Sequence, residues 1–489
     1  MSDYYEGLGS WQGLQKITSA TLFLYFALLL PGIAFGVLYD YYTDGALDAR
    51  KVLVSQVFSG LVHSAFCGQP LIIIRTSIPV LIYTRVVVAI ASQFSVPFLT
   101  FFAWVGIWNA LFVMLYAFTG ASKIMALLTR STEEILGMFI AIGFVLDGVK
   151  YLKNEFELHY CFDDSNSYCD PQMPLLATLL VFGTVLIGLN VYNFKFSQFL
   201  NADKRVFVAD YALVVAVMVM SFVGSYLFKD IATKPFTDNG SKAPFTLVPM
   251  EFDTLKGLPG IVGVLLGFVM STLFFVEQNI VGSMVNNPRN RLKKGSAFHL
   301  DMLVIGIINF VLSILGLPWL HAALPHSPLH VRALADIEDY VDNGHLKETV
   351  VRVRETRITN LVSHILLAVS ILMIPYPLTY VPIPVLYGLF VFLGLSSIST
   401  FQMWERFVLI FTEQHLYPPS HYIRQVPQRV VHYFTFLQLC QLGVLCYISF
   451  AGSAYLKMMF PIVILLFIPI RLKLIPKIIK ARYLEALDG

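Results

Sequence analysis

The feature that most constrains this chain is a series of apolar runs, each long enough to cross a lipid bilayer. A helix needs about 20 predominantly apolar residues to span the hydrocarbon core, and such windows recur from residue 17 to residue 475. Hydrophobic residues make up 57% of the 489 residues and charged residues only 13%, whereas a soluble domain carries roughly 25% charged residues. The chain is therefore predicted to be an all-α integral membrane protein without a separate soluble domain.

The apolar runs divide into fourteen predicted transmembrane segments. They lie near residues 17–38, 50–66, 70–90, 98–119, 131–152, 173–194, 206–228, 258–284, 300–317, 319–336, 358–378, 382–400, 431–452 and 456–475. The basic clusters of the chain follow even-numbered segments, where a chain that starts inside the cell returns to the cytoplasm. The predicted topology therefore places both termini in the cytoplasm.

Seven segments on each side of one polar loop indicate two halves that insert with opposite topology. The predicted division is a cytoplasmic amino-terminal segment (1–16), a first inverted repeat (17–228), an extracellular loop (229–257), a second inverted repeat (258–478) and a cytoplasmic tail (479–489). Because the loop lies outside the cell, the sequon at Asn239 predicts glycosylation. If the loop after the fifth segment is also extracellular, Cys161 and Cys169 can form one disulfide.

The third and the tenth predicted segments are each interrupted by a serine and a proline. The first interruption reads RTSIPV and the second LPHSPLHV. Lipid offers no partner to loose backbone groups, so a break at that depth survives only inside protein or beside a wet cavity. One proline kink is more often structural than functional, but matched breaks in two inverted halves indicate a transporter binding site near the membrane midplane.

The broken segments carry helix-start signals. Ser327 directly precedes a proline, and Ser77 stands two residues before another, which is typical of the first turn of a helix. Two helix amino termini that face each other direct free N–H groups and positive dipole ends at one point, which suits a small anion such as bicarbonate, borate or hydroxide. Gln69 and Thr76 are candidates for further polar contacts.

The candidate proton-carrying group is Glu277, which stands in an otherwise apolar run. Helical spacing places it on one face with Gly263 and Gly267, a small-xxx-small pair that allows close helix packing. Burial disfavours the charged form of a carboxyl group, so we expect Glu277 to take up and release a proton. The alternative is a structural ion pair near the cytoplasmic end of the helix.

His326 and His330 stand four residues apart at the start of the second half-helix and share one face. Histidine titrates near physiological pH, so both are candidates for pH sensing or proton transfer. The alternative is that they are packing residues, and His330 together with Arg332 is equally suited to bracing the half-helix. No metal-ligand set, phosphate-binding loop or hydrolase triad stands at useful spacing, and nothing indicates nucleic-acid binding or an enzyme.

Several motifs resemble solute carrier family 4, the bicarbonate and borate transporters. They are GQPL before the first break, RSTEEI, FVEQNI, RLKKGSAFHLDML, GLPWLHAALPHSPLHVRAL and YPPSHYIRQVPQR. The resemblance implies a homodimer in which each membrane domain consists of a core that carries the site and a gate that forms the dimer contact. It also implies that the site lies between the third and the tenth segments, close to Glu277.

The resemblance further implies a function. Sodium-coupled relatives tend to have aspartate at the position of Glu277, so sodium coupling is not expected. The motifs are most similar to a branch of the family that is associated with electrogenic proton or hydroxide movement, promoted by alkaline pH and ammonia.

Two departures from the family pattern bear on the selectivity for the transported ion. His326 replaces an arginine of the anion exchangers, and Arg75 stands where relatives usually show glycine or an apolar residue.

The leading hypothesis is therefore a sodium-independent, electrogenic proton or hydroxide transporter of the plasma membrane. The expected partners are these ions, ammonia, membrane lipid and a second copy of the chain, and no cofactor is expected. Borate or bicarbonate transport is the alternative within the same class. A membrane adhesion protein is the alternative from another class, but the predicted outside loops are short for an adhesive surface.

Overall fold

The computed structural model describes residues 2–7, 9–127, 129–159, 170–231, 247–324, 326–342, 345–372, 374, 376, 380–417, 421–451 and 453–488. Asn239, Cys161 and Cys169 lie outside these described residues. Their glycosylation and disulfide bond therefore stay predictions from the sequence.

Helices make up most of the described chain. The α-helices are α1 (Trp11–Tyr42), α2 (Ala49–Phe66), α3 (Ile78–Gln93), α4 (Phe98–Thr119), α5 (Arg130–His159), α6 (Gln172–Asn193), α7 (Ala202–Asp210), α8 (Ala212–Phe222), α9 (Leu258–Val285), α10 (Phe298–Ile314), α11 (His326–Leu334), α12 (Ile358–Leu372), α13 (Ile383–Ile398), α14 (Gln402–Val408), α15 (His421–Gln425), α16 (Gln428–Cys446), α17 (Ala454–Met458), α18 (Phe460–Pro469), α19 (Ile475–Ile478) and α20 (Ala481–Asp488). The strands are β1 (Ile74–Arg75), β2 (His321–Ala322), β3 (Ala335–Asp342) and β4 (His345–Val353).

Six of the described helices are long and apolar enough to cross a membrane, and the number rises to eight if each of two bent helix pairs counts as one span. The bends are 52° between α7 and α8 and 77° between α13 and α14. Three shorter apolar helices, α3, α10 and α12, add to these. A mostly helical membrane protein is therefore confirmed, but the predicted count of fourteen spans is not. Breaks and polar residues leave several predicted segments shorter or less apolar than one crossing requires.

Local sequence sets where several helices begin and end. Ser10 caps α1 by accepting a hydrogen bond from the N–H of Gly13 at 3.1 Å. Asp48 caps α2 in the same way, through the N–H of Lys51 at 2.8 Å. Such side chains satisfy amide groups that the first turn of a helix leaves free. At the other end of a helix, Gly120 terminates α4 with a left-handed φ of 68°, a conformation that glycine adopts without strain.

A two-stranded hairpin departs from the all-α prediction. β3 follows α11 directly and pairs antiparallel with β4. The tenth predicted segment, 319–336, therefore contains β2, the nine-residue α11 and the first residues of β3. Two features of the sequence favour a hairpin here. Apolar and polar residues alternate through ADIE at the start of β3, and an Asn-Gly dipeptide stands between the two strands in the sequence, which is a strong hairpin signal.

The helices pack in two sets. In one set, α4 packs against α9 and α10, and α12 packs against α1 and α2. In the other set, α13 packs against α5, α6 and α8, and α16 packs against α5. The two sets meet where α1 contacts α13. Each set draws helices from both halves of the chain.

Strands β1 and β2 join the two halves of the chain at one point. They pair antiparallel, with Ile74 opposite Ala322 and Arg75 opposite His321. The N–H of Ala323 extends the pairing by donating to the carbonyl of Ile73 at 2.8 Å. Since α3 begins shortly after β1 and α11 shortly after β2, this pairing holds the starts of both helices close together.

Trp319 anchors the chain that leads into β2. Its ring stacks on Phe102 with centroids 3.7 Å apart and planes at 11°, and its indole nitrogen donates to Ser313 at 3.0 Å. Gly106 makes room for this arrangement, because a Cβ atom there would lie 2.2 Å from the indole nitrogen. The side chain of Asn309 makes two hydrogen bonds to the backbone of Leu320, the residue after Trp319. It donates to the carbonyl oxygen at 2.7 Å and accepts from the N–H at 2.9 Å. β2 is thereby held against α4 and α10.

Candidate functional site

Three side chains from distant parts of the sequence meet where α9, β2 and the start of α3 come together. Nε2 of His321 lies 2.5 Å from Oε2 of Glu277 and 2.8 Å from Oγ of Ser77. Ser77 also lies 3.5 Å from the same carboxylate oxygen. Glu277 and His321 are each 1% exposed. The structure thus brings the predicted Glu277 and Ser77 together and adds His321.

Sequence reasoning missed His321. It singled out His326 and His330 because they flank the Ser-Pro pair, whereas His321 stands five residues before His326, in the run WLHAAL, without a serine and a proline beside it. One signal was available, since an ionisable residue inside an apolar membrane segment is by itself a reason to expect a functional site.

Hydrogen bonding orients the ring of His321. Nδ1 of His321 lies 2.8 Å from the carbonyl oxygen of Ala322, so Nδ1 carries a proton and donates it. Nε2 therefore faces both Oε2 of Glu277 and the hydroxyl of Ser77. This nitrogen accepts a hydrogen bond from the hydroxyl when it carries no proton, and it sets a positive charge against the carboxylate when it carries one.

The second carboxylate oxygen of Glu277 is available to a ligand. Oε1 is buried and has no hydrogen-bond partner among the residues that the structure describes. Buried polar atoms in proteins normally have a partner, and an exception calls for an explanation. A small polar ligand or a water molecule that donates a hydrogen bond would satisfy this oxygen.

Gln278 positions His321 from the same helix that carries Glu277. Its Oε1 accepts the N–H of Ala322 at 2.9 Å, which ties β2 to α9. The face of α9 that was predicted to pack closely does so, because a Cβ atom on Gly267 would lie 2.8 Å from the carbonyl oxygen of Val105 on α4. The site thus has a rigid support on both sides of the carboxylate.

Arg75 and His326 form a second contact beside the strands. Nη1 of Arg75 lies 2.8 Å from Nε2 of His326, and the guanidinium carbon lies 5.3 Å from the centre of the Phe35 ring, within cation–π distance. Arginine only donates hydrogen bonds, so the ring nitrogen that accepts from it carries no proton.

Arg75 is 4% exposed, and within the described residues no ion pair includes it. A buried cation without a counter-charge is costly. A bound anion would supply the missing charge.

Ser77 and Ser327 stand at the predicted helix starts but do not cap their helices. Ser77 occupies the position before α3, yet its side chain turns to His321 and makes no capping hydrogen bond. α11 begins one residue before Ser327, whose Oγ instead accepts the N–H of Ile73 at 3.0 Å. The helices thus begin beside the predicted serines, but the two hydroxyls bond to other parts of the chain, because contacts between its two halves compete for them.

His330 lies outside the His321–Glu277–Ser77 cluster. Its Nδ1 lies 3.0 Å from the carbonyl oxygen of Leu71 and its Nε2 lies 2.8 Å from the hydroxyl of Thr359. Both ring nitrogens are therefore engaged in contacts that brace α11. This geometry matches the packing alternative considered for this residue.

Gln69 and Thr76 also contact other parts of the chain. The amide of Gln69 donates to Asn286 at 3.0 Å, the residue that follows α9. Asn286 stands nine residues after Glu277, which corresponds to about 13 Å at the rise of a helix. The hydroxyl of Thr76 lies 3.1 Å from that of Tyr39. Neither side chain makes a described hydrogen bond to the cluster.

The chain matches a known family over its whole length. The HCO3⁻ transporter integral membrane domain matches residues 1–170 and 162–489. Solute carrier family 4 member 11 of Homo sapiens is 42% identical over 530 aligned residues, which cover 100% of this chain and 60% of that protein. The chain thus spans about three fifths of the length of the human and mouse relatives of this name.

Two solved structures share the fold. The transmembrane domain of the cyanobacterium bicarbonate transporter BicA superposes with a TM-score of 0.57 at 14% identity, covering 91% of this chain and 98% of that one. SLC26A9 superposes with a TM-score of 0.56 at 15% identity, covering 93% and 65%. At these identities the likeness concerns the fold alone. The family match, by contrast, extends over the full sequence and shows that the chain belongs to solute carrier family 4, the multi-pass membrane transporters of the bicarbonate transporter family.

Proposed function

We propose that the chain is a sodium-independent, electrogenic transporter of protons or hydroxide that acts at the plasma membrane. The observation that supports this most directly is the contact between His321 and Glu277, two buried titratable groups whose facing atoms lie 2.5 Å apart. A site that takes up a proton on one side of the membrane and releases it on the other moves net charge when no counter-ion travels with it. Hydroxide movement in the opposite direction has the same effect on charge and pH.

The proposed path runs between the broken third and tenth segments. Ser77, at the start of α3, contacts His321, while His326, at the start of α11, contacts Arg75. Helix amino termini carry free N–H groups and a partial positive charge, so the region between these contacts suits hydroxide or another small anion. Broken helices at the midplane are typical of transporter sites.

The two sets of helices support an elevator-type mechanism. We infer that α1–α4 and α9–α12 form the core that carries the cluster. The helices α5, α6, α8, α13, α16 and α18 then form the gate. In this mechanism the core slides along the gate and exposes the His321–Glu277 pair to each side in turn. The gate of one copy would contact the gate of a second copy in a homodimer.

Transport of borate or bicarbonate is the second candidate function, and Arg75 favours it. A buried guanidinium without an ion-pair partner among the described residues is suited to holding an anion. The fold is shared with a cyanobacterium bicarbonate transporter. For ammonia, as activator or co-substrate, the support is the resemblance of the sequence motifs to one branch of the family.

Current recording in proteoliposomes under an imposed pH gradient distinguishes these functions. Sodium, bicarbonate, borate and ammonium are each added or removed in turn, and protein-free liposomes serve as the control. We expect the reversal potential to follow the pH gradient and to be unaffected by the removal of sodium. A reversal potential that follows the borate or bicarbonate gradient instead would establish the second candidate, and one that ignores the pH gradient would exclude the first.

A further inference from the structure

A second group of reactive side chains lies at the end of α2, apart from the His321–Glu277 pair. His63 stands in the last turn of α2, Cys67 directly follows that helix, and Asp301 stands in the first turn of α10. The nitrogen, sulfur and oxygen atoms that these residues offer as ligands all lie within 4.8 Å of one another. The three residues are 0%, 2% and 3% exposed. They therefore form a compact, buried cluster of three different donor types.

His63 has both ring nitrogens buried without a hydrogen-bond partner among the described residues. Neutral imidazole has one donor and one acceptor nitrogen, and buried polar atoms normally have a partner. The buried His330, by comparison, engages both of its ring nitrogens. His364 engages one, with Nδ1 2.7 Å from the carbonyl oxygen of Asn360, while its Nε2 has no partner among the described residues. His63 thus retains an unused lone pair beside a thiol and a carboxylate.

Hydrogen bonds already hold the other two residues in place. Oδ1 of Asp301 accepts the N–H of Gly68 at 2.6 Å and the N–H of Gln69 at 3.3 Å. Sγ of Cys67 lies 3.3 Å from the carbonyl oxygen of Gln69. The turn that follows α2 therefore fixes the carboxylate of α10 beside the thiol. A ligand can join these groups through side-chain rotation, without rearrangement of the backbone.

We propose that His63, Cys67 and Asp301 bind a transition-metal cation, for which Zn²⁺ is the best match. Zn²⁺ takes nitrogen, sulfur and oxygen ligands and accepts three protein ligands with a fourth position open. Mg²⁺ and Ca²⁺ prefer oxygen ligands alone. When the ion binds, the thiol releases its proton to solvent and becomes a thiolate. The thiolate and the carboxylate then balance the two positive charges of the ion.

Arg357 contacts both the cluster and the amino-terminal segment. Its Nη1 lies 3.5 Å from Sγ of Cys67 and donates to the carbonyl oxygen of Ser64 at 2.7 Å. Its Nε lies 3.4 Å from a carboxylate oxygen of Asp3, a residue that also lines a cavity of about 480 Å³. Binding of a metal ion to the sulfur replaces the contact between Arg357 and Cys67 and leaves the guanidinium its bonds to Ser64 and Asp3.

Zinc titration of the purified full chain tests the proposal. After treatment with a chelator, binding is measured by isothermal titration calorimetry and the bound zinc by elemental analysis. We expect one Zn²⁺ per chain in the wild type. We also expect an affinity at least about tenfold lower in His63→Ala and in Cys67→Ser, because even substitutions outside the ligand set commonly cost that much. Cys440→Ser removes an exposed thiol on α16 and should bind like the wild type.

A cadmium titration of the unsubstituted chain tests the same site without dependence on the folding of a variant. Cd²⁺ bound to a thiolate gives an ultraviolet charge-transfer band, which we expect in the wild type and in Cys440→Ser. Size-exclusion profiles identify variants that do not fold. The proposal is overturned if the wild type retains no zinc and shows no thiolate band. It is equally overturned if folded His63→Ala and Cys67→Ser bind zinc as tightly as the wild type. Neither result depends on transport, so the proposed function is tested separately.

Discussion

Nε2 of His321 lies 2.5 Å from Oε2 of Glu277, and both side chains are only 2% exposed. Glu277 belongs to α9 and His321 to β2, so their contact depends on the hydrogen bond through which Gln278 holds the backbone of β2. In that position a proton carried by one group faces the other group. Replacing either group therefore removes a proton-accepting atom from the contact and changes the local charge.

Glu277→Gln keeps the shape of the protonated acid but cannot release a proton. We expect near-normal surface expression and a pH-dependent current reduced by roughly 100-fold, the size of effect seen when a positioned proton-transfer group is removed. Current measured against pH in the same membranes checks this. Glu157→Gln, at an exposed position of α5, is the matched control and should keep the wild-type profile. If Glu277→Gln also keeps it, the carboxylate is structural.

Arg75→Leu removes a buried positive charge that has no carboxylate partner within the described chain. The change leaves no carboxylate without an ion-pair partner, so we expect folding and surface delivery to be largely retained. We expect the dependence of transport on borate and bicarbonate to change. Arg85→Leu is the control, because the Arg85 guanidinium lies 4.0 Å from the centre of the Tyr42 ring instead of at the site. Normal activity with unchanged anion dependence in Arg75→Leu would place this arginine outside the path.

Gly36→Ala tests the close approach of α1 to α2. A Cβ atom at this position would lie 2.2 Å from Cα of Ala49, a backbone atom that cannot move aside. We expect a loss of about 1–3 kcal/mol of stability, which is typical of overpacking, and a lower thermal midpoint of the purified protein. Gly443→Ala has open space around the new methyl group and should be neutral or slightly stabilising. Equal midpoints for the two variants would contradict the packing.

Asp336 links β3 to the amino-terminal helix. Its carboxylate lies 2.8 Å from the Lys16 ammonium and 2.7 Å from the Arg354 guanidinium. Burial opposes ionisation, but the hydrogen bonds from Arg354 and Lys16 outweigh it and lower the pKa of Asp336 below its usual value. The pairing therefore stabilises the fold above the pKa of the unfolded chain, and this stabilisation is lost as the pH falls through the lowered, folded-state value.

Asp336→Asn should consequently lower the thermal midpoint at neutral pH, and the difference from wild type should shrink toward zero in acid. The effect is small, about 1 kcal/mol or less, because both the carboxylate and Lys16 are partly exposed. Thermal unfolding of both proteins across this pH range checks the trend. Asp253→Asn, which breaks a pair between two exposed side chains, provides the comparison. A difference that stays constant with pH would show that the ion pairs are not its cause.

Asn239 is expected to carry a glycan when the chain is made in a eukaryotic cell, because the predicted topology places residues 229–257 outside. Glycosidase treatment should shift the electrophoretic band of the wild type and leave that of Asn239→Gln unchanged. A tag inserted in the loop should be accessible on intact cells. Access only after permeabilisation would reverse the predicted topology.

The amino-acid sequence determined the class of protein and part of the site. Long apolar runs predict a helical membrane fold, because lipid offers no hydrogen-bond partner to free backbone N–H and C=O groups. Helical spacing placed Glu277 on the face that packs against α4, and the matched Ser-Pro breaks marked the point where β1 and β2 meet. Family motifs spread over the whole chain were enough to identify solute carrier family 4.

Only the tertiary structure decided which groups meet at the site. Ser77 and His321 are 244 positions apart, and sequence periodicity relates residues within one helix or strand but not between elements from opposite halves. The pairing of β1 with β2 places His321 beside Ser77 and the Ser327 hydroxyl beside the backbone of Ile73. His330 lies outside the cluster, against the carbonyl oxygen of Leu71. The approach of α2 to α10 assembled His63, Cys67 and Asp301 in the same way. These contacts arise from the register and packing between distant elements, which no local pattern of residues encodes.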